Sequence, residues 1–183
     1  SHELILAVCS GSTVTFLDAT HLLGSSAGVT LTTREFGSPV VDLTWSPTNS
    51  ALCAVLCEDG CVETLQLKVN GTAFDVVGKF TTDNVSAICW TPKGAGQSRL
   101  TMALESGALV VSTPQLQGHD SEFPAFQGKG DMQTHRLHYL TSNMLVVGYR
   151  FPLGEERNAD AEDPLAIMCC LDVATGKYSQ LGD

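Results

Sequence analysis

Positive charge is scarce in this sequence. Ten Lys and Arg stand against twenty Asp and Glu, giving a net charge of −10 and a pI near 4.7. The ten are scattered, with no run among them. Holding a phosphate backbone takes clustered cations that release its counterions, so direct nucleic-acid binding is disfavoured. The acidic balance fits a basic partner, because complementary charge speeds encounter and rejects wrong partners. Long apolar runs are also missing. None approaches the roughly 20 residues that cross a bilayer, so no membrane contact is expected. The opening SHELILAVCSGS has neither the basic start nor the apolar length of a secretory signal. The chain is expected to begin inside a domain.

Recognisable chemistry is equally thin. Gly24-Ser25-Ser26-Ala27-Gly28 fits the G-x-S-x-G pattern, but strand-like VTLTT follows where that elbow needs a helix. Cys53, Cys57 and Cys61 are four apart, a spacing that converges on a helix and diverges across strand, hairpin and strand. His135 and His138 have no second ligand pair nearby, and Gly128-Lys129-Gly130 lacks the rest of a phosphate loop. No carboxylate pair sits in an acid–base motif. No catalytic set, metal or cofactor is expected, and a hydrolase with a site assembled from distant segments is the least favoured class. Seven cysteines is an odd number, and Cys9, Cys53, Cys57, Cys89, Cys169 and Cys170 lie in apolar runs. They read as buried free thiols of a reducing compartment, cytosol or nucleus.

What is present is a repeat. VVDLTWSPT at 40–48 returns as VSAICWTPK at 85–93, placing Trp45 on Trp90 and Pro47 on Pro92. These are the only two tryptophans, and both are expected in the interface between adjacent repeats. A period in the mid-forties is that of a four-stranded propeller blade. Helical patterning is nearly absent. Short runs rich in Val, Leu, Thr and Cys recur between Gly, Pro, Asn, Asp and Ser.

The first full unit predicts strands at 40–45, 51–57, 61–69 and 73–80, with Asp59-Gly60 as a tight hairpin. The second predicts strands at 85–90, 100–104 and 108–112, with Gly107 at the equivalent hairpin. Weaker copies flank these. Strands are expected at 4–9 and 13–18, and again at 136–139, 144–149, 165–172 and 177–181. LCAVLC at 52–57 and MLVVGY at 144–149 are apolar at both parities, as strands covered on both faces are. Thr64, Gln66 and Lys68 mark a strand with one more exposed face. The fold class is all-β, a single partial β-propeller of WD40-like blades over 1–183, with approximate units 1–38, 39–82, 83–130 and 131–183.

The phrases VVDLTWSPTNSALCAVLCEDGCVETLQLKV, VSAICWTPKG and LESGALVVSTPQLQ carry a family resemblance. Over about 40–126 the chain resembles the N-terminal β-propeller of the cytoplasmic-face FG nucleoporin called CAN. The resemblance implies a seven-bladed propeller, of which this chain covers about four blades. It implies a non-enzymatic scaffold at the cytoplasmic face of the nuclear pore, acting in mRNA export. Its partners would be other nucleoporins and the DEAD-box export helicase, bound in competition with RNA. The chain lacks the family's FG repeats and coiled-coil segments. A generic WD-type scaffold in another intracellular complex is the alternative.

The most acidic loop spans 150–164 and carries Glu155, Glu156, Asp160, Glu162 and Asp163. These five are the candidate contacts for a basic helicase surface. An open arc of blades would bare apolar flanks and strand edges, so missing blades, a second chain or self-association is expected to cover them.

Overall fold

Among the described residues of the computed structural model, short aliphatic runs broken by Gly, Asp and Pro turns give fifteen strands and one 3-10 turn (Gln127–Lys129). The structure describes residues 4–20, 29–68, 73–81, 84–94, 96–151 and 166–181. The strands form four antiparallel sheets, each strand pairing with its neighbour in the chain. The first sheet holds β1 (Ile5–Ser10), β2 (Thr13–Asp18) and β3 (Val29–Glu35). The second holds β4 (Val40–Trp45), β5 (Leu52–Cys57), β6 (Val62–Leu67) and β7 (Phe74–Phe80). The third holds β8 (Val85–Trp90), β9 (Leu100–Leu104), β10 (Leu109–Ser112) and β11 (Ser121–Phe123). The fourth holds β12 (Gln133–Thr141), β13 (Met144–Arg150), β14 (Ala166–Asp172) and β15 (Lys177–Leu181).

The repeat in sequence is a repeat in hydrogen bonding. Beyond each tryptophan the turn closes the same way. The Ser46 N–H donates to the Leu52 carbonyl (2.8 Å), and the Thr91 N–H donates to that of Arg99 (2.9 Å). At the opposite end, Glu58 N–H reaches Pro39 O and Glu105 N–H reaches Asn84 O, both at 2.8 Å. The hairpin glycines Gly60 and Gly107 have φ of 76° and 86°, a left-handed backbone that favours glycine. A β-carbon on Gly60 would also sit 2.7 Å from the Asn84 Cα of the next sheet.

Alternating parity builds the core between the sheets. Leu52, Ala54 and Leu56 of β5 pack towards the third sheet, against Trp90, Leu100, Met102 and Val110. Cys53, Val55 and Cys57, pointing the other way, meet Val14, Phe16 and Phe36 of the first sheet and its following loop. A third cluster joins Ala103, Leu109 and Val111 to Leu145, Val147 and Tyr149 of the fourth sheet. Covering both faces of a sheet is what propeller stacking does, and it explains why the inner runs do not alternate.

Polar groups cross the same interfaces. Tyr139 and Thr101 share a buried hydrogen bond of 2.8 Å. Glu63, its side chain 4% exposed, takes Arg34 of the first sheet and Lys79 of its own sheet, each at 2.9 Å. Burial is the largest influence on Glu63 and pushes its carboxyl up. Hydrogen bonds from Lys79 and Arg34, with their charges, outweigh it and hold the group below its ordinary value.

Among the described residues, the outer sides of the two end sheets carry exposed apolar side chains. Leu6 and Val8 of β1 are each 43% exposed, and Met168 of β14 is 56% exposed. Among the described residues no core cluster joins the first sheet to the fourth. Three expectations are corrected. Thr64 is buried, because Gly78 lacks a side chain and lets the 114–115 backbone of the next sheet cover it; the Thr64 hydroxyl donates to the Pro114 carbonyl. Cys9 is exposed, because β1 is an edge strand. β11 was absent from the expected strands, since SEF is too short to show a period.

Candidate partner-binding site

Innermost strands β4, β8 and β12 stand side by side and line a central channel. Its cavity of about 610 Å³ presents Asp42, Ser86, Gln133, His135, Arg136 and Arg150. Burial pushes the Asp42 carboxyl up, opposed by the Leu43 N–H and by the charge of Arg136. Burial, the charge of Arg150 and then that of Arg136 hold His135 below the ordinary imidazole value, against a 3.1 Å contact of its Nδ1 with the Gly148 carbonyl. His135 is therefore neutral near pH 7, and the inner wall carries guanidinium charge beside one carboxylate.

At one end the channel opens into a recess of about 500 Å³ lined by Glu58, Asp59, Asn84, Glu105 and Arg150, among others. The repeat puts these acids together. Glu58 and Glu105 hold equivalent places just before hairpins, and each hairpin leaves its sheet at the same end. Asp59 is tied to its turn by accepting the Cys61 N–H at 3.0 Å, and Glu105 accepts from the Asn84 amide at 2.8 Å. The β13–β14 connection starts at this end too, because Arg150 pairs with Ala166 across the ladder. We call this end the hairpin face. The opposite end carries Lys93, Lys177 and the ion pair of Arg99 with Asp120 at 3.2 Å.

The expected contact residues Glu155, Glu156, Asp160, Glu162 and Asp163 lie outside the described residues. The described residues on either side of it, Arg150 and Ala166, pair with each other at the hairpin face. Trp45 and Trp90 occupy equivalent places, each packed towards the preceding sheet. Trp45 stands edge-on to Phe16 at 6.0 Å, and Trp90 Nε1 donates to Thr44 O at 3.0 Å. Pro47 and Pro92 sit in the turns after them, at the end opposite Asp59, Gly60 and Gly107. Glu58, Glu105, Asp42, Arg136 and Arg150 were not singled out from sequence; for the two glutamates the signal was the repeat itself, read for surface residues rather than core ones.

All seven cysteines are free thiols. Burial pushes Cys53 up to about 12 and Cys57 and Cys169 to about 11, so these three are protonated and inert near neutral pH. His135, His138 and the three closely spaced cysteines do not converge; among the described residues no three potential ligands could hold a metal ion.

An 88-residue stretch, 46% of the chain, is 32% identical to the human nuclear pore complex protein Nup214. The sequence likeness is to a nucleoporin. No family model matches the chain. Solved structures show the fold of this nucleoporin-like chain to be a β-propeller. Saccharomyces cerevisiae Sqt1 superposes with a TM-score of 0.72 at 13% identity, over 98% of this chain and 48% of that one. The N-terminal domain of Nup159 does so at 0.63 and 14%, over 98% and 45%. Chaetomium thermophilum Sqt1 bound to the N-terminus of ribosomal protein L10 gives 0.66 and 14%, over 96% and 45%. The nucleoporin-like propeller thus spans about half the length of these solved chains, and it covers 4% of Nup214.

Proposed function

We propose that the chain is a non-enzymatic docking scaffold of the nuclear pore's cytoplasmic face, and that its hairpin face receives the basic RNA-facing surface of a DEAD-box mRNA-export helicase. The observation that carries this reading is the placing of Glu58, Asp59 and Glu105 by the repeat on one face, in a chain of net charge −10 whose sequence likeness is to a nucleoporin. An acidic face set against that surface excludes the phosphate backbone from the same place. Other nucleoporins are partners on the same reading. On the same reading the five acids of the 150–164 loop add to this charge, since Arg150, where the loop begins, lines the recess.

The test is a titration of the helicase at several salt concentrations, with RNA as competitor. Changing Glu155, Glu156, Asp160, Glu162 and Asp163 together to Gln and Asn should weaken binding and flatten its salt dependence, since screened charge attraction is what is removed. Unchanged affinity and slope would remove the loop from the interface. A second reading, a WD-type scaffold of another complex, draws on the better superposition with Sqt1, one form of which is bound to a ribosomal protein segment. It predicts capture of a basic peptide with no response to the helicase.

A further inference from the structure

The ladders of three blades align residue by residue. Val40 pairs with Cys57, Val85 with Leu104 and Thr134 with Tyr149, and after each pair the register slips by one residue on the inner strand. Three β-bulges thus fall at one place, on Val41, Ser86 and His135. The residues next along the second strands are therefore equivalent as well: Glu58, Glu105 and Arg150. All three are exposed and line the recess at the hairpin face. Main-chain bonds fix each place: Glu58 N–H to Pro39 O, Glu105 N–H to Asn84 O, and Arg150 paired with Gln133. The same alignment sets Asp42, Ala87 and Arg136 at one level of the inner strands, paired with Leu56, Ala103 and Gly148.

Charge runs the same way at both levels. On the second blade both places are acidic, Glu58 and Asp42. On the third they hold Glu105 and Ala87. On the fourth both are basic, Arg150 and Arg136. A face that only attracted cations would be weakened by two guanidinium groups, since each offsets the negative potential of the acids. Among the described residues neither Arg136 nor Arg150 forms an ion pair. Their charges help to keep His135 neutral near pH 7, so the fourth blade presents two fixed cations.

We propose that the hairpin face reads charge with a direction: Arg150, backed by Arg136, is a specificity-determining residue that takes a carboxylate of the partner, while Glu58 and Glu105 take its cations. This rests on the docking reading above and deepens it. The partner surface is then not uniformly basic. It sets cations against the second and third blades and an acidic side chain against the fourth. Like charges brought together cost binding, so the pattern fixes the orientation in which the partner docks.

Binding kinetics of the 183-residue chain with the DEAD-box export helicase separate this from simple attraction. Glu58→Gln and Glu105→Gln should slow association, because less steering charge remains. Arg150→Gln makes the chain more negative, so association should hold or rise. Dissociation should nevertheless quicken by about threefold or more, and affinity should fall. Arg150→Lys, which keeps the charge, should recover most of the loss, and Arg150→Glu should deepen it. The Arg150→Gln loss should persist in a chain whose Glu155, Glu156, Asp160, Glu162 and Asp163 are already changed to Gln and Asn. Unchanged or tighter binding by Arg150→Gln overturns the proposal; if the two glutamate variants are still weakened, the hairpin-face reading stands without it. Glutamate variants that bind as the wild type remove that reading, and the proposal falls with it whatever Arg150 does. A loss confined to the chain with its loop acids intact overturns the proposal in favour of an internal role, with Arg150 holding the loop.

Discussion

Glu63 shows how a single residue ties one blade to the next. It brings a nearly buried carboxylate to the first interface and satisfies it with Arg34 and Lys79 at 2.9 Å. Arg34 also lies over Phe36 at 5.4 Å and Phe74 at 5.7 Å, so its stem and charge both serve the contact. Removing one cation leaves a buried charge half-compensated, and Arg34→Ala should cost about 1–3 kcal/mol. The pH dependence follows from the lowered carboxyl of Glu63. The contribution is complete above the ordinary glutamate range and disappears as pH falls through the lower folded value. Urea unfolding of the wild type and Glu63→Gln should therefore differ at pH 7 and converge in acid. A constant difference down to the acid transition would show that the ionised pair does not stabilise the interface.

Elements repeat less evenly than residues do. β4 and β8 hold the same place, yet β8 is covered by β4 whereas β4 faces a groove beside β1. Trp90→Phe removes a bonded indole from a packed interface and should cost about 1–3 kcal/mol. Trp45→Phe alters a half-buried site and should cost less than about 1 kcal/mol. Equal losses in thermal unfolding would mean that the two strands are equally covered. The strand order was legible because four features recur together: an aliphatic run, Trp, a Pro turn and a Gly hairpin. The bounds of β4, β8 and β9 match the sequence patterning residue for residue. Thr64 was not legible, because its cover comes from Gly78 and Pro114, remote in sequence and silent in any local pattern. The hairpin acids escaped notice for a related reason. Glu58 and Glu105 look like ordinary turn residues until stacking sets their hairpins side by side.

At the scale of the whole molecule, stacking gives an arc with one acidic face and, among the described residues, exposed apolar side chains on both outer sides. Fully burying a Leu, Val or Met side chain is worth about 1.5–3 kcal/mol, so Leu6, Val8 and Met168 are strong incentives to association. Sedimentation should show mass rising with concentration, and Met168→Lys should lower it; a concentration-independent monomer would show that the sides need no cover. The proposed function depends on which end of the arc meets the partner. Hydrogen exchange of the chain, with and without saturating DEAD-box export helicase, reads this directly. Protection is predicted at the hairpins 58–60 and 105–107 and at the Arg150 end of β13. The turns at 46–51, 91–94 and 173–176 should exchange as before. Protection confined to those turns, with the hairpins unchanged, would contradict the account.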